Sequence, residues 1–287
     1  MAAALTRLDL LLVERGLVKS CEEARASVMA GLVLLDGRPA AKPGQRAARD
    51  AAVEVRGRPH PYVSRGGLKL EFALDRFGVA PRDLVALDVG AATGGFTDCL
   101  LRRGARLVYA LDVGYGQLAW TLRNDPRVVC LERVNVRYLN PARLAPRPDL
   151  ATIDISFISV GKAFPAVAAA VGPGGRVLAL VKPQFEVGPR QVGKRGVVRD
   201  AALHRATLEG AAADAARAGL APLGATYSPI LGPAGNMEFW LLLAVPAARV
   251  PPGGPATPGA GATAIAAPVA AAIAGAVAEA HQALATK

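Results

Sequence analysis

Residues 87–96 read Leu-Asp-Val-Gly-Ala-Ala-Thr-Gly-Gly-Phe, and this stretch decides the fold. Val85 to Val89 read as a short buried strand, the glycines as a tight loop, and Phe96 to Arg103 as the start of a helix. Glycines let a backbone approach a ligand closely, and a helix N-terminus offers unpaired N–H groups. Asp88, two residues before the first glycine, is the more selective feature. A phosphate-cradling loop gains nothing from a carboxylate there, whereas the cationic, amine-bearing end of S-adenosylmethionine does. Asp112, at the end of the next apparent strand (Leu107 to Leu111), is placed to take both hydroxyls of an adenosine ribose. The spacing of Gly90, Gly94 and Gly95 does not match the G-x-G-x-x-G of dinucleotide sites. The expected cofactor residues are therefore Asp88, Gly90, Ala91, Thr93, Gly94, Gly95 and Asp112, with Glu132 and Asn135 near an adenine. A tight turn with no ligand is the bland alternative. Tyr115, Gly116 and Gln117 either cover the cofactor or simply begin the next helix.

Beyond this loop, strand and helix patterns alternate from the helix expected at Gly67 to Phe77 through to Val245. Strands are expected at 85–89, 107–111, 127–131, 149–154, 176–182, 223–227 and 239–245. Such alternation predicts a doubly wound, mostly parallel sheet with ligands at the carboxyl ends of its strands. Asp154 ends the fourth strand and Lys182 the fifth, while Glu238 opens the last. An antiparallel last strand would bring all three to one rim, and Lys69 on the preceding helix could join them. The chain has 34 basic residues, of which only seven are lysine. A lysine retained where arginine is preferred suggests proton chemistry, since lysine can be tuned to lose its proton and arginine cannot. The bland readings are a charge-neutralising RNA contact for Lys182 and a strand-end turn for Asp154.

Residues 5–55 form a separate pattern. Leu8, Leu11 and Leu12 share a helical face that Gly16 ends, and Ser20 with Glu23 forms a capping box for a second helix running to about Ala30. A strand at Leu32 to Leu35, an Asp36-Gly37 turn and a return strand at Ala51 to Val55 complete it. Residues 57–63 read as a linker. Gly253 to Ala267 read as disordered, in an Ala/Gly/Pro-rich tail over 247–287. After Pro268 the spacing of Val269, Ile273, Val277 and Leu284 fits a short helix. The net charge of +11 points to an anionic partner, nucleic acid first. Three scattered cysteines without a C-x-x-C and three dispersed histidines give no expected metal site and suit a reduced, cytoplasmic setting. No secretory signal core opens the chain, and its long uncharged segment is too broken by proline for a membrane span, so no stable membrane association is expected.

The run "TRLDLLLVERGLVKSCEEARASVMAGLVLLDGRP" resembles the RNA-binding domain of the ribosomal-protein-S-four type. The stretches "VSRGGLKLEFAL", "LDVGAATGGFTDCLL", "ALDVGYGQLAWTLRNDPRV", "LERVNVR", "DISFIS", "LVKPQFEVG" and "GPAGNMEFW" resemble the TlyA family. That family joins such an RNA-binding domain to an FtsJ-type methyltransferase domain. The resemblance implies an α/β, Rossmann-like methyltransferase domain over 64–246 with a mostly parallel seven-stranded sheet, preceded by a small α+β RNA-binding domain over 1–56. It further implies S-adenosylmethionine as methyl donor and a ribose 2′-OH of ribosomal RNA as acceptor, on free RNA or ribosomal subunits. It lays a Lys–Asp–Lys–Glu tetrad on Lys69, Asp154, Lys182 and Glu238. RNA contacts are expected from Arg7, Lys19, Arg25, Arg38, Lys42 and Arg65. Two other readings stand beside this one: a non-catalytic ribosome-assembly factor, and a haemolysin-like membrane-active protein.

Overall fold

A computed structural model of the chain describes residues 5–29, 31–56, 60–188, 191–193, 196–247 and 265–284. It divides into two compact units, Met1–Arg65 and Gly66–Lys287. The linker expected at 57–63 lies partly outside the described residues, as does nearly all of the stretch expected to be disordered.

The first unit pairs two short helices with two small sheets. Helix α1 (Leu8–Glu14) follows strand β1 (Leu5–Arg7), and α2 (Cys21–Met29) precedes β2 (Val33–Leu35), β3 (Arg38–Pro39), β4 (Arg46–Ala48) and β5 (Val53–Val55). Leu8, Leu11 and Leu12 are buried against Val28 and Val33. The capping box forms at one arm as expected, Glu23 N–H donating to Ser20 Oγ at 3.1 Å. Its other arm goes one residue further back, the Glu23 carboxylate accepting from Lys19 N–H at 2.6 Å. Asp36 and Gly37 both take positive φ (49° and 75°), the geometry of a two-residue hairpin turn. They join β2 to β3 rather than to β5, which pairs with the other edge of β2. A second, two-stranded sheet of β1 and β4 carries no strong sequence pattern.

The second unit opens with α3 (Gly66–Phe77) and β6 (Val85–Val89), followed by α4 (Gly95–Arg102), β7 (Leu107–Leu111), the single turn α5 (Trp120–Arg123) and β8 (Val128–Leu131). Then come β9 (Leu150–Ile153), α6 (Phe164–Ala170), β10 (Arg176–Val181), the short α7 (Pro183–Glu186), α8 (Ala201–Arg217), β11 (Ala221–Tyr227) and β12 (Phe239–Ala244). These form one seven-stranded sheet in the order β11-β12-β10-β9-β6-β7-β8. Strands β6 to β10 are parallel, and β12 alone runs antiparallel to its neighbours. The expected α/β, mostly parallel seven-stranded fold is thus the observed one. Central strands buried on both faces read as continuous apolar runs, as in β6 and β12, where every residue is buried.

The C-terminal helix α9 (Ala267–Leu284) is eighteen residues long. Val269, Ile273, Val277 and Leu284 are buried in the same core as Leu208 of α8 and Phe239 of β12. The sequence set residues 247–287 apart as a tail; the structure builds this part of it into the second unit. An alanine-rich stripe hides that role, because alanine marks a buried face more weakly than leucine or valine.

Candidate active site

Strand register assembles the site. In the β6–β9 ladder Val89 lies opposite Ile153, so the next residues, Gly90 and Asp154, are neighbours. In the β10–β12 ladder Val181 lies opposite Phe239, so Lys182 and Glu238 meet one step beyond the paired region. The strands stop one residue sooner than the sequence suggested, which leaves Asp154 and Lys182 just past the ends of β9 and β10. Pro183 begins α7 directly after Lys182, a position where its missing N–H costs nothing.

Two ion pairs occupy this rim. Lys69 Nζ on α3 lies 2.5 Å from Glu238 Oε2, with both side chains buried. Lys182 Nζ lies 2.5 Å from Asp154 Oδ1 and donates a hydrogen bond to Ser156 Oγ at 2.9 Å. Asp154 Oδ1 is buried and, although within ion-pair distance, has no aligned hydrogen-bond donor. A buried charge of this kind is costly unless paired, and each of the four is paired with another of the set. The four residues expected as a tetrad are therefore brought together as two lysine–carboxylate pairs.

A cavity of about 500 Å³ opens beside them. Gly90, Asp112, Asn135 and Asp154 line it, as do Ala92, Leu111, Val113, Gln117, Val136, Ile155, Ser156, Phe157 and Ile158. The apolar lining of Val113, Val136 and Ile155 was not anticipated; these residues have no signal of their own in the sequence. The Asp112 carboxylate accepts from Ala92 N–H at 2.8 Å and Gly114 N–H at 2.6 Å. Its remaining lone pairs are available to hydroxyls. Asn135 caps the turn Val136–Tyr138 through its Oδ1. Gln117 on the wall puts the loop after β7 beside the cavity. That loop is pinned by Ala119 N–H to Thr93 O at 3.1 Å and by the Arg133 guanidinium 4.2 Å over the Tyr115 ring.

Several expected cofactor residues stand elsewhere. Asp88 is fully buried and does not line the cavity; its carboxylate accepts from Thr97 Oγ1 at 2.7 Å and Thr152 Oγ1 at 3.1 Å. It ties β6 to α4 and β9 rather than facing a ligand amine. Ala91, Thr93, Gly94 and Gly95 also lie off the cavity wall. Gly94 takes φ 101°, a backbone state that L side chains rarely adopt, and a Cβ there would meet the side-chain ends of Leu118 and Leu122. Glu132 pairs with Arg123 and accepts from Gly116 N–H, so it holds the loop after β7 in place. For Asp88, inside β6, and Glu132, just past β8, the sequence showed the acid but not which way its side chain turns.

Burial pushes the Asp88 carboxyl up to about 7. The folded state therefore holds this proton more tightly than the unfolded chain does. Its contribution to stability is full below the unfolded value of 3.8 and drains away as pH rises towards 7. Replacing Asp88 with Asn removes that titration. The stability of wild type relative to Asp88→Asn should fall by on the order of a few kcal/mol between pH 4 and 7 and stay level above. Paired denaturant melts across that range measure it, and a difference independent of pH refutes it.

Among the expected RNA-contacting residues, Arg7 and Arg25 both reach the buried Asp9 carboxylate, at 2.8 and 3.3 Å, while more than half of each arginine side chain stays exposed. The Arg7 guanidinium holds the Asp9 carboxyl down at about 2. Asp9, unmarked in the sequence, thus orients two guanidinium groups at the surface. Lys19, Arg38, Lys42 and Arg65 are exposed. Among the described residues there is no cluster able to hold a metal ion.

Both units match families of known proteins. The family model "FtsJ-like methyltransferase" matches residues 62–245, and the "S4 domain" model matches residues 6–53. The chain is 48% identical to "Putative rRNA methyltransferase YqxC" of Bacillus subtilis, covering 85% of this chain and 87% of that protein. It is 46% identical to "16S/23S rRNA (cytidine-2'-O)-methyltransferase TlyA" of Mycobacterium tuberculosis, covering 83% and 89%. A solved structure titled "Putative hemolysin from Streptococcus thermophilus" superposes with a TM-score of 0.73 at 40% identity, covering 99% of this chain and 98% of that one.

Proposed function

Because the chain belongs to the FtsJ-like methyltransferase family, we propose that its S-adenosylmethionine-dependent activity methylates a ribose 2′-OH of ribosomal RNA, with cytidine as the target nucleoside. The observation that carries this reading is the meeting of the Lys69–Glu238 and Lys182–Asp154 pairs at the rim of a cavity that holds Asp112 and Gly90. The names of the relatives supply the acceptor class, and the S4 domain supplies an RNA-binding unit.

The cavity residues fit the methyl donor. The Asp112 carboxylate has lone pairs free for the ribose hydroxyls, and Val113 and Val136 give an apolar slot for the base. When bound, S-adenosylmethionine supplies a sulfonium methyl that is already strongly electrophilic. What remains for the chain is alignment and a proton. Lys182 Nζ, once it has given its own proton to solvent, is placed to accept a hydrogen bond from the attacking hydroxyl and then its proton. Asp154 holds the amine in place and balances the ammonium that re-forms. Lys69 and Glu238 orient the ribose from the other side of the rim.

Tritiated-methyl transfer onto isolated small and large ribosomal subunits, followed by mapping of the labelled nucleoside, tests the reading. Label on the 2′-oxygen of a cytidine is expected. Label on a base overturns the ribose assignment. No label on either subunit, with cofactor bound, favours a non-catalytic assembly factor. Among the described residues no helix is long and apolar enough to cross a membrane.

A further inference from the structure

Helix α9 lies outside residues 62–245 of the family match, yet it reaches towards both members of the Lys69–Glu238 pair. On one side Glu279 Oε2 lies 2.5 Å from the Arg76 guanidinium. Arg76 is on α3, two turns beyond Lys69. On the other side His281 Nε2 lies 3.0 Å from His204 Nδ1 on α8, and His204 Nε2 lies 3.1 Å from Val198 O. The carbonyl fixes the tautomer: Nε2 of His204 must carry the hydrogen, so in the neutral ring Nδ1 accepts and His281 Nε2–H donates. His204 is fully buried, and burial lowers its pKa, which favours the neutral ring this arrangement needs.

The connection continues to the site. Val198 N–H donates to Asn236 Oδ1 at 2.9 Å, and Asn236 Nδ2 donates to Gly196 O at 2.9 Å. Asn236 is itself buried, and its carbonyl accepts from Gly232 N–H at 2.9 Å. Gly232 lies so close to Glu238 that a Cβ there would fall 2.6 Å from Oε1. The hairpin carrying Glu238 is thus fastened to residues 196–198, and those to α8 and α9.

We propose that α9 is a brace for the active site, and that His281 is a positioning residue that sets Glu238 against Lys69 through His204, Val198 and Asn236. This rests on the reading that the Lys69–Glu238 pair serves methyl transfer. Several properties follow. The brace acts on a residue that orients the acceptor, while the walls of the cofactor cavity contain no residue of α8 or α9. Loss of the brace therefore lowers kcat and leaves cofactor affinity alone. A hydrogen-bond donor at position 281 is what matters, so a side chain that keeps the donor keeps the rate.

The test uses the full chain, with methyl transfer to ribosomal subunits as one readout and amide hydrogen exchange as another. His281→Phe fills the space and removes the donor; His281→Gln restores an N–H. Expected for His281→Phe is a kcat lower by about tenfold, as modest misplacement of a catalytic group produces. The S-adenosylmethionine Kd stays unchanged, and exchange over 232–238 is faster in the resting protein. His281→Gln should recover most of the rate and the protection. If His281→Phe does not fold, His281→Met, unbranched and equally without a donor, replaces it. A folded donor-less variant with kcat within twofold of wild type, or with unchanged exchange over 232–238, overturns the brace. So does a Gln variant as slow as the Phe variant. Absence of transfer by the wild-type chain refutes the proposed function instead, and the exchange comparison still decides the brace.

Discussion

Lys182→Ala should lose methyl transfer by about 10³-fold, within the range that a positioned proton-transfer group contributes, while S-adenosylmethionine binds as before. The reasoning separates two sets of residues that share one rim. Asp112, Asn135 and Gly90 line the cavity, whereas Lys182 does not. Its Nζ faces Asp154 and Ser156. Calorimetric titration with the cofactor should therefore give one Kd for wild type and variant, and single-turnover transfer should differ. Lys182→Arg sharpens the result. It keeps the positive charge beside Asp154, so recovery of the rate in that variant would mean that charge alone suffices. Continued loss means that the residue must exchange a proton, which a guanidinium does not do. Near wild-type turnover in Lys182→Ala would remove the residue from the mechanism altogether. A modest drop in stability accompanies the Ala variant, because the Asp154 carboxylate loses its cationic partner in a partly buried site.

The division between legible and hidden residues has a physical basis. Strand ends, glycines at forced turns and ionisable residues after apolar runs are one-dimensional signals. They placed Asp154, Lys182 and Glu238 on one rim once the last strand proved antiparallel, while Lys69 joined them through the family resemblance. Side-chain direction is not such a signal. Asp88 and Asp112 both sit at strand ends, yet one turns inward to two threonines and the other lies on the cavity wall. Neighbours in space decide this: Thr97 and Thr152 come from α4 and β9 and present hydroxyl donors exactly where Asp88 is buried. Phe157 is a further case. It is 88% exposed and takes φ 68° at the mouth of the cavity, a backbone state that no local pattern announces for a bulky residue. The role of α9 was hidden for a different reason, since its polar partners His204 and Arg76 lie 77 and 203 residues earlier in the chain.

Gly90→Ala is expected to damage both stability and catalysis, and the structure says why the loop needs glycine at this position. Gly90 takes φ 88°, and a Cβ would fall 2.3 Å from the Asp154 carbonyl oxygen and 2.9 Å from its carbon. Neither side can yield cheaply. Gly90 N–H is held by Leu111 O at 2.8 Å, and Asp154 N–H by Val89 O at 2.9 Å. The left-handed backbone alone costs an alanine roughly 1–2 kcal/mol, and forced overpacking adds roughly 1–3 kcal/mol. For a chain of this size that sum lowers Tm by roughly 5–15 °C. Gly219→Ala separates the two effects, since Gly219 has φ 81° but no atom within 4 Å of its would-be Cβ. It should show the backbone cost alone. The excess in Gly90→Ala then reports the contact, and two equal Tm losses would deny it. Activity gives a second measure. Pushing the Asp154 backbone aside moves the carboxylate that holds Lys182, so transfer should fall by about 10²-fold even at temperatures where the variant is folded and at cofactor concentrations that saturate it. Gly219→Ala, just past the C-terminus of α8 and off the cavity wall, should transfer methyl groups at the wild-type rate. The glycine at position 90 thus lets the chain pass against the Asp154 carbonyl, and that one backbone contact sets the position of the carboxylate paired with Lys182.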